Sequence, residues 1–481
     1  MAFTVNPIKF GTDGWRGVIA ADFTFERVAM LAPIAAQVLV DNYSDTATNR
    51  TVIVGYDRRF MAEDFAKVAA EAVQEAGFDV LLSECYAPTP AFSWAAKAHN
   101  ALGAIVMTAS HNPAAYLGLK VKSAFGGSVP PEITEQIEAK IEKPLPQVNQ
   151  PGKLEKFDPW ESYCQGLQQK VNIAAIKNAI AAEKLKVYVD VMHGAAATGL
   201  ERLLGCPVEE INSDRDPLFG GGAPEPLPKY LPDFFQAIKT GAKDYPDSLR
   251  VGIVFDGDSD RIAGADAAGN FLSSQVLIPI LIEHLAERKG FEGEIVKTVS
   301  GSDLIPRLAQ SYGRSVYETP IGYKYIADRM LQAEVMIGGE ESGGIGYGTH
   351  IPERDALLSA LYVLEAVVES GEELGTIYRR LQQKTDFTAH YDRIDLPLAN
   401  MEVRAKLLER LQTETPQEVA GMPVVDCLDV DGYKFRMDDN TWLLIRFSGT
   451  EPVLRLYCQA PTMPEVRKVL EWARDWANSQ G

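Results

Sequence analysis

The chain has 481 residues, of which 46% are hydrophobic and 23% charged; this is globular composition, and it excludes a mainly disordered protein. Its 47 Lys and Arg stand against 66 Asp and Glu, a formal charge of −19, which argues against sequence-independent nucleic-acid binding but not against a small anion held in a locally basic pocket. No apolar run approaches the ~20 residues that span a bilayer, the N-terminal segment lacks a basic and apolar leader, and the five scattered cysteines form no CxxC pair, so the expectation is a cytoplasmic protein with reduced thiols and no membrane partner.

In chain order, short β-branched runs at 51–57, 103–109, 186–191, 250–255, 293–299 and 333–337 alternate with helical stretches such as 63–76. That alternation predicts βαβ units, and the near-continuous apolar character of the runs predicts strands covered on both faces. The Pro-rich stretch at 144–152 reads as a linker, and the Gly/Pro-rich stretch at 220–228 as a long loop. The expected fold class is α/β, with domains at 1–152, 153–268, 269–385 and 386–481. The first three look like variations on one mixed α/β theme, and the fourth is a smaller α+β unit.

Several segments that follow the strands carry polar chemistry. Thr108-Ala-Ser-His-Asn-Pro113 puts Ser110 on a tight turn at a strand's carboxyl end, where ligands bind in open α/β sheets. Alone, the plainer reading is a turn cap, with His111 a satisfied loop residue. Asp256-Gly-Asp-Ser-Asp-Arg261 offers three alternate carboxylates to a hard cation. An EF-hand fails because Arg261 and Ala267 stand where Gly and Glu are needed, and a dehalogenase-type phosphatase is weakened by Asp260. Gly338-Gly-Glu-Glu-Ser-Gly-Gly344 lets backbone approach a ligand while Glu340 and Ser342 grip hydroxyls; an ordinary glycine-rich connection is the plainer reading. Arg446-Phe-Ser-Gly-Thr-Glu-Pro452, with Arg455 on the next strand, offers a guanidinium, two hydroxyls and a turn whose N–H groups could form an anion nest. Phe10-Gly-Thr-Asp-Gly-Trp-Arg-Gly17 brings Arg16 into a glycine-rich turn, and Thr319-Pro-Ile-Gly-Tyr-Lys324 places Lys324 after another.

Five of these stretches, in this order from Phe10 to beyond Arg455, resemble the α-D-phosphohexomutase superfamily. The resemblance implies four domains around a central cleft and a phosphorylated Ser110. It implies one Mg²⁺ held by Asp256, Asp258, Asp260 and the Ser110 phosphate, with Arg16 and Arg261 positioning phosphoserine or substrate. Glu340 and Ser342 would recognise sugar hydroxyls, while Arg446, Ser448, Gly449, Thr450 and Arg455 would bind the phosphate that is not transferred. His111 counts among the catalytic candidates, and Lys120 matches the family lysine near the transferring group. Many relatives carry His where this chain has Gly344, so proton transfer falls to Lys120 or Lys324.

The implied activity is a phosphohexomutase, first a phosphoglucomutase working through glucose 1,6-bisphosphate, which also serves as primer. The alternatives are a bisphosphate synthase and a phosphomannomutase or phosphoglucosamine mutase. Partners would be hexose phosphates, with the chain a monomer or homodimer. From other classes, an Asp-x-Asp phosphatase predicts phospho-Asp256, and a non-catalytic sugar-phosphate sensor predicts that Ser110 is never labelled.

Overall fold

The computed structural model describes residues 6–11, 13–143, 149–448 and 452–479. The first sheet has seven strands, in spatial order Phe10–Gly11, Gly14–Val18, Tyr116–Ser123, Gly103–Met107, Thr51–Tyr56, Asp79–Ser83 and Leu154–Phe157. The last of these lies beyond the Pro-rich stretch and pairs parallel with Asp79–Ser83, so the chain returns to the first sheet after that stretch. The strand Gly103–Met107 is buried throughout. Ala104 and Val106 pack into one core and Ile105 and Met107 into another, which is why the run lacks hydrophobic alternation.

The second sheet orders Phe271–Leu272, Ile262–Ala265, Leu249–Phe255, Leu185–Asp190 and Glu209–Ile211. The third orders Val316–Thr319, Glu294–Thr298, Val335–Gly339 and Ile345–Gly346. Each of the three mixed sheets contains the same local device: a buried strand runs into a polar turn and returns antiparallel. Gly103–Met107 returns as Tyr116–Ser123, Leu249–Phe255 as Ile262–Ala265, and Val335–Gly339 as Ile345–Gly346. The turns between them carry Ser110, the three aspartates, and Glu340 with Ser342.

One continuous hydrophobic core threads the first three domains, joining Phe92 and Val106 to Leu200, Phe255, Ile337 and Leu361. The fourth domain has a separate core, with Leu407, Phe435, Ile445, Leu456 and Val469 between its sheet and helices. That sheet is wholly antiparallel, in the order His390–Pro397, Val453–Ala460, Trp442–Phe447, Tyr433–Arg436 and Asp426–Leu428. Both faces of Trp442–Phe447 are covered: Leu443 and Ile445 face the domain's own core, whereas Trp442 and Leu444 meet Val299 and Ile321 of the third domain. No helix among the described residues is long and apolar enough to cross a membrane.

Candidate active site

Ser110 is buried and holds a left-handed backbone conformation (φ 52°), uncommon for a residue with a side chain. Its N–H donates to Thr108 Oγ1 (2.9 Å) and its Oγ donates to Asp256 Oδ2 (2.8 Å). His111 Nδ1 lies 3.2 Å from the same Oγ. Burial, and then the nearby Arg261 and Arg16 guanidinium groups, hold the His111 ring well below the ordinary imidazole range, so it is neutral at physiological pH. Arg16, on the strand Gly14–Val18, reaches the same turn through Asn112 Oδ1 (2.5 Å).

Asp256, Asp258 and Asp260 are all fully buried, and one ligand oxygen from each lies within 4.8 Å of the others. Asp256 Oδ1 accepts from the backbone N–H groups of Asp260 and Arg261 (both 3.1 Å), which closes the loop. Asp258 Oδ2 accepts from Thr89 Oγ1 (2.5 Å), the first residue of the helix Thr89–Ala98. Asp258 Oδ1 and Asp260 Oδ1 are buried without a hydrogen-bond partner among the described residues. Burial, and then the Asp260 and Asp258 charges, raise the Asp256 carboxyl well above the usual carboxylate range. Crowded hard oxygens with orphaned lone pairs fit a divalent oxygen-seeking cation such as Mg²⁺.

Lys120, on the returning strand, sits among these acids. Its Nζ lies 2.6 Å from Asp13 Oδ2, 2.8 Å from Asp258 Oδ2 and 2.9 Å from Asp260 Oδ2. Burial alone would lower its pKa, but Asp13, Asp258 and Asp260 outweigh it and hold the ammonium well above the ordinary lysine range. Lys324 differs. It opens toward the cleft at the start of the helix Tyr323–Gln332, stands 4.9 Å over the Tyr325 ring, and pairs with no carboxylate among the described residues.

Sequence reasoning missed the partners of this cluster. Arg354 donates through Nη2 to Asp13 Oδ2 (2.7 Å) and Asp260 Oδ2 (2.6 Å), and through Nη1 to Glu340 Oε1 (3.4 Å). Glu353 Oε2 accepts from Lys122 Nζ (2.6 Å), which also meets Asp13. Glu353 and Arg354 come from a charged stretch just before the apolar helix Ala356–Ser370 and are buried there; the stretch itself gives no local signal of the partners they meet.

Glu340 is nearly buried and accepts from Ser342 Oγ (2.6 Å), so the two proposed sugar-recognition groups are already oriented together. A Cβ at Gly344 would fall 2.3 Å from Arg354 Cδ. The space that a histidine would need at this position is filled by the arginine's stem.

On the far side, Arg446 and Arg455 are direct cross-strand partners. Arg446 Nε meets Asp431 Oδ2 (3.0 Å), and Arg455 Nε is buried with no hydrogen-bond partner among the described residues. Ser448 accepts from Arg404 through its carbonyl. Gly449 and Thr450 lie outside the described residues. All four domains line one cavity of about 410 Å³, including Arg16, His111, Arg261, Lys324, Glu340, Ser342, Arg446 and Arg455. Among the described residues, seven Arg and Lys against five Asp and Glu line it, a local basic excess inside a strongly acidic chain.

The chain matches the families described as phosphoglucomutase/phosphomannomutase alpha/beta/alpha domain I (residues 7–147), domain II (161–269) and domain III (273–385), and the phosphoglucomutase/phosphomannomutase C-terminal domain (399–475). It is similar to a crystallised candidate phosphomannomutase of Thermus thermophilus, at 33% identity and TM-score 0.84, over 99% of this chain and 100% of that one. A phosphoglucomutase/phosphomannomutase of Thermococcus kodakarensis is 29% identical, with 96% of each chain covered. A phosphoglucosamine mutase of Frankia casuarinae is also 29% identical, again with 96% of each covered. The chain belongs to the α-D-phosphohexomutase superfamily, a group of mutases of the isomerase class.

Proposed function

We propose that this protein is a phosphohexomutase that carries a phosphoryl group on Ser110 and interconverts glucose 1-phosphate and glucose 6-phosphate. The observation that carries the reading is the placement of Ser110 Oγ 2.8 Å from Asp256, beside two further buried aspartates and next to His111, which lines a cleft together with Arg446 and Arg455. Asp256, Asp258 and Asp260 would hold one Mg²⁺, which when bound neutralises charge on the phosphoryl group.

The chain's own residues account for the rest. The phosphoryl group leaves Ser110 Oγ for the free hydroxyl of the hexose phosphate, whose proton passes to a base, and a hexose 1,6-bisphosphate forms. Lys324 suits the base better than Lys120, because it lines the cleft whereas the Lys120 ammonium is committed to Asp13, Asp258 and Asp260. The bisphosphate then reorients, and its other phosphoryl group returns to Ser110. Arg446, Arg455 and the Ser448 loop hold whichever phosphate is idle, while Glu340 and Ser342 grip ring hydroxyls in both orientations. Added hexose 1,6-bisphosphate would prime the unphosphorylated enzyme. The five free cysteines suit a reducing, cytoplasmic compartment.

The relatives' names favour a second reading, with a mannose or glucosamine phosphate as the preferred substrate. A panel of hexose 1-phosphates, assayed with and without added bisphosphate while following free phosphate and released bisphosphate, tests both. The proposal predicts 6-phosphate formation fastest from glucose 1-phosphate, with no free phosphate. Stoichiometric free phosphate would identify a phosphatase, accumulating bisphosphate a synthase, and a faster mannose or glucosamine rate the second reading.

A further inference from the structure

Beneath the turn that carries Ser110 lies a guanidinium that the cleft does not expose. Arg59 is fully buried. Its Nη2 donates to the carbonyl oxygens of Ser110 (2.5 Å) and Asn112 (2.7 Å), and its Nη1 to those of Pro113 and Tyr116 (both 3.1 Å). Asp57 faces it, with Oδ2 3.3 Å from Arg59 Nε and Oδ1 accepting the Arg59 N–H (2.9 Å). The Phe219 ring covers the guanidinium carbon at 4.8 Å from its centroid. Phe219 arrives from the glycine-rich loop of the second domain, bent there by positive φ at Phe219, Gly220 and Gly221. A little further along, the Pro224 carbonyl accepts from Gly257 N–H (3.1 Å), so the same loop also abuts the aspartate turn.

We propose that Arg59 is the positioning residue that sets Ser110 for phosphoryl transfer, with Phe219 as its backing; this rests on the phosphoserine reading. Four carbonyls that converge on one planar fork fix the turn at four points, which a lysine's single ammonium cannot reproduce. Carbonyl oxygens engaged from behind do not turn their lone pairs toward an anionic phosphoryl group. The arginine's charge also stands permanently on the far side of the turn from the reacting phosphate. The loop at 218–224, which carries no recognisable chemistry of its own, thereby gains a role as the second domain's clamp on the first domain's serine.

The test is the rate at which Ser110 takes ³²P from labelled glucose 1,6-bisphosphate, together with kcat and KM for glucose 1-phosphate, in the full-length parent, Arg59→Lys and Phe219→Leu. In folded Arg59→Lys, labelling and kcat fall by about 100-fold, the scale set by small misplacements of reacting groups. KM stays within about threefold, because substrate recognition lies elsewhere in the cleft. Phe219→Leu keeps the buried charge paired and lowers labelling by about tenfold with KM again unchanged. Folded Arg59→Lys labelled at the parent rate overturns the inference alone. If Arg59→Lys does not fold, Phe219→Leu decides in the same way: slowed labelling supports the inference and parent-rate labelling overturns it. A parent that is never labelled overturns the phosphoserine reading, and this inference with it.

Discussion

At Gly344 the missing side chain is as informative as any that is present. The Arg354 stem occupies the space where a Cβ would project, and its guanidinium ties Asp13, Asp260 and Glu340 together across the domains. Gly344→Ala should therefore push Arg354 off its partners and destabilise the fold by about 1–3 kcal/mol, as overpacking of a filled site does. Urea denaturation checks this, and an unchanged midpoint would show that Arg354 yields freely. The serine, the three aspartates and the Glu340–Ser342 pair were legible in the sequence because each sits in a compact motif directly after an apolar strand. Asp13, Lys122, Glu353 and Arg354 were not. Their meaning comes from mutual pairing across up to 341 positions of chain, which no local pattern records.

Among the elements, strand-to-turn transitions were the most readable feature, since a buried strand must end where polar residues begin. The three antiparallel returns could not be read so easily: Ile345–Gly346 is only two residues long, and its pairing with Val335–Gly339 is a tertiary event. The strand at 442–447 is covered on both faces, because the third domain packs on the side that would otherwise be wet. Lys434, on the adjacent strand Tyr433–Arg436, is caught at that same contact. It is buried, donates to the Val299 carbonyl (2.7 Å) and lies 4.3 Å over the Trp442 ring. Burial, and then Lys297, push its pKa down to about 7, against the pull of Asp303 and Glu318, with Arg436 adding to the push. The unfolded chain, with an ordinary lysine near ~10.4, binds more protons than the fold between these values, so stability rises with pH across that window by up to about 1.4 kcal/mol per unit. Lys434→Met should abolish that slope. Its stability advantage over the parent is expected to be largest at pH 6 to 7 and to shrink toward about pH 10, and parallel urea midpoints across that range would contradict it.

Over the whole molecule, one core binds the first three domains into a body, and the fourth domain keeps its own. The contact between the fourth domain and that body is largely polar. Arg393 Nη1 meets Glu341 Oε1 (2.6 Å), Arg436 meets Asp303 (2.8 Å), and Gln459 Oε1 accepts from Ser302 Oγ (3.0 Å), around a small apolar patch at Trp442. Such an interface favours relative domain motion, and a fourth domain that lines the cleft with Arg446 and Arg455 can close over a bound hexose phosphate. An engineered disulfide between the third and fourth domains should abolish turnover until it is reduced; full activity in the oxidised form would rule out a moving lid. The chain's acidity, read from composition, said nothing of this cleft, because its basic excess is assembled from residues spread between positions 16 and 455.

The central claim is that Ser110 is the phosphoryl carrier. Feeding the enzyme glucose 6-[³²P]phosphate and mapping the labelled peptides during turnover tests it most directly. The account predicts label on the Ser110 peptide that chases into product at the rate of catalysis, with Ser110→Ala slower by at least about 10³-fold though still binding sugar phosphate. Steady turnover with that peptide unlabelled, or near-parent activity in Ser110→Ala, would contradict it.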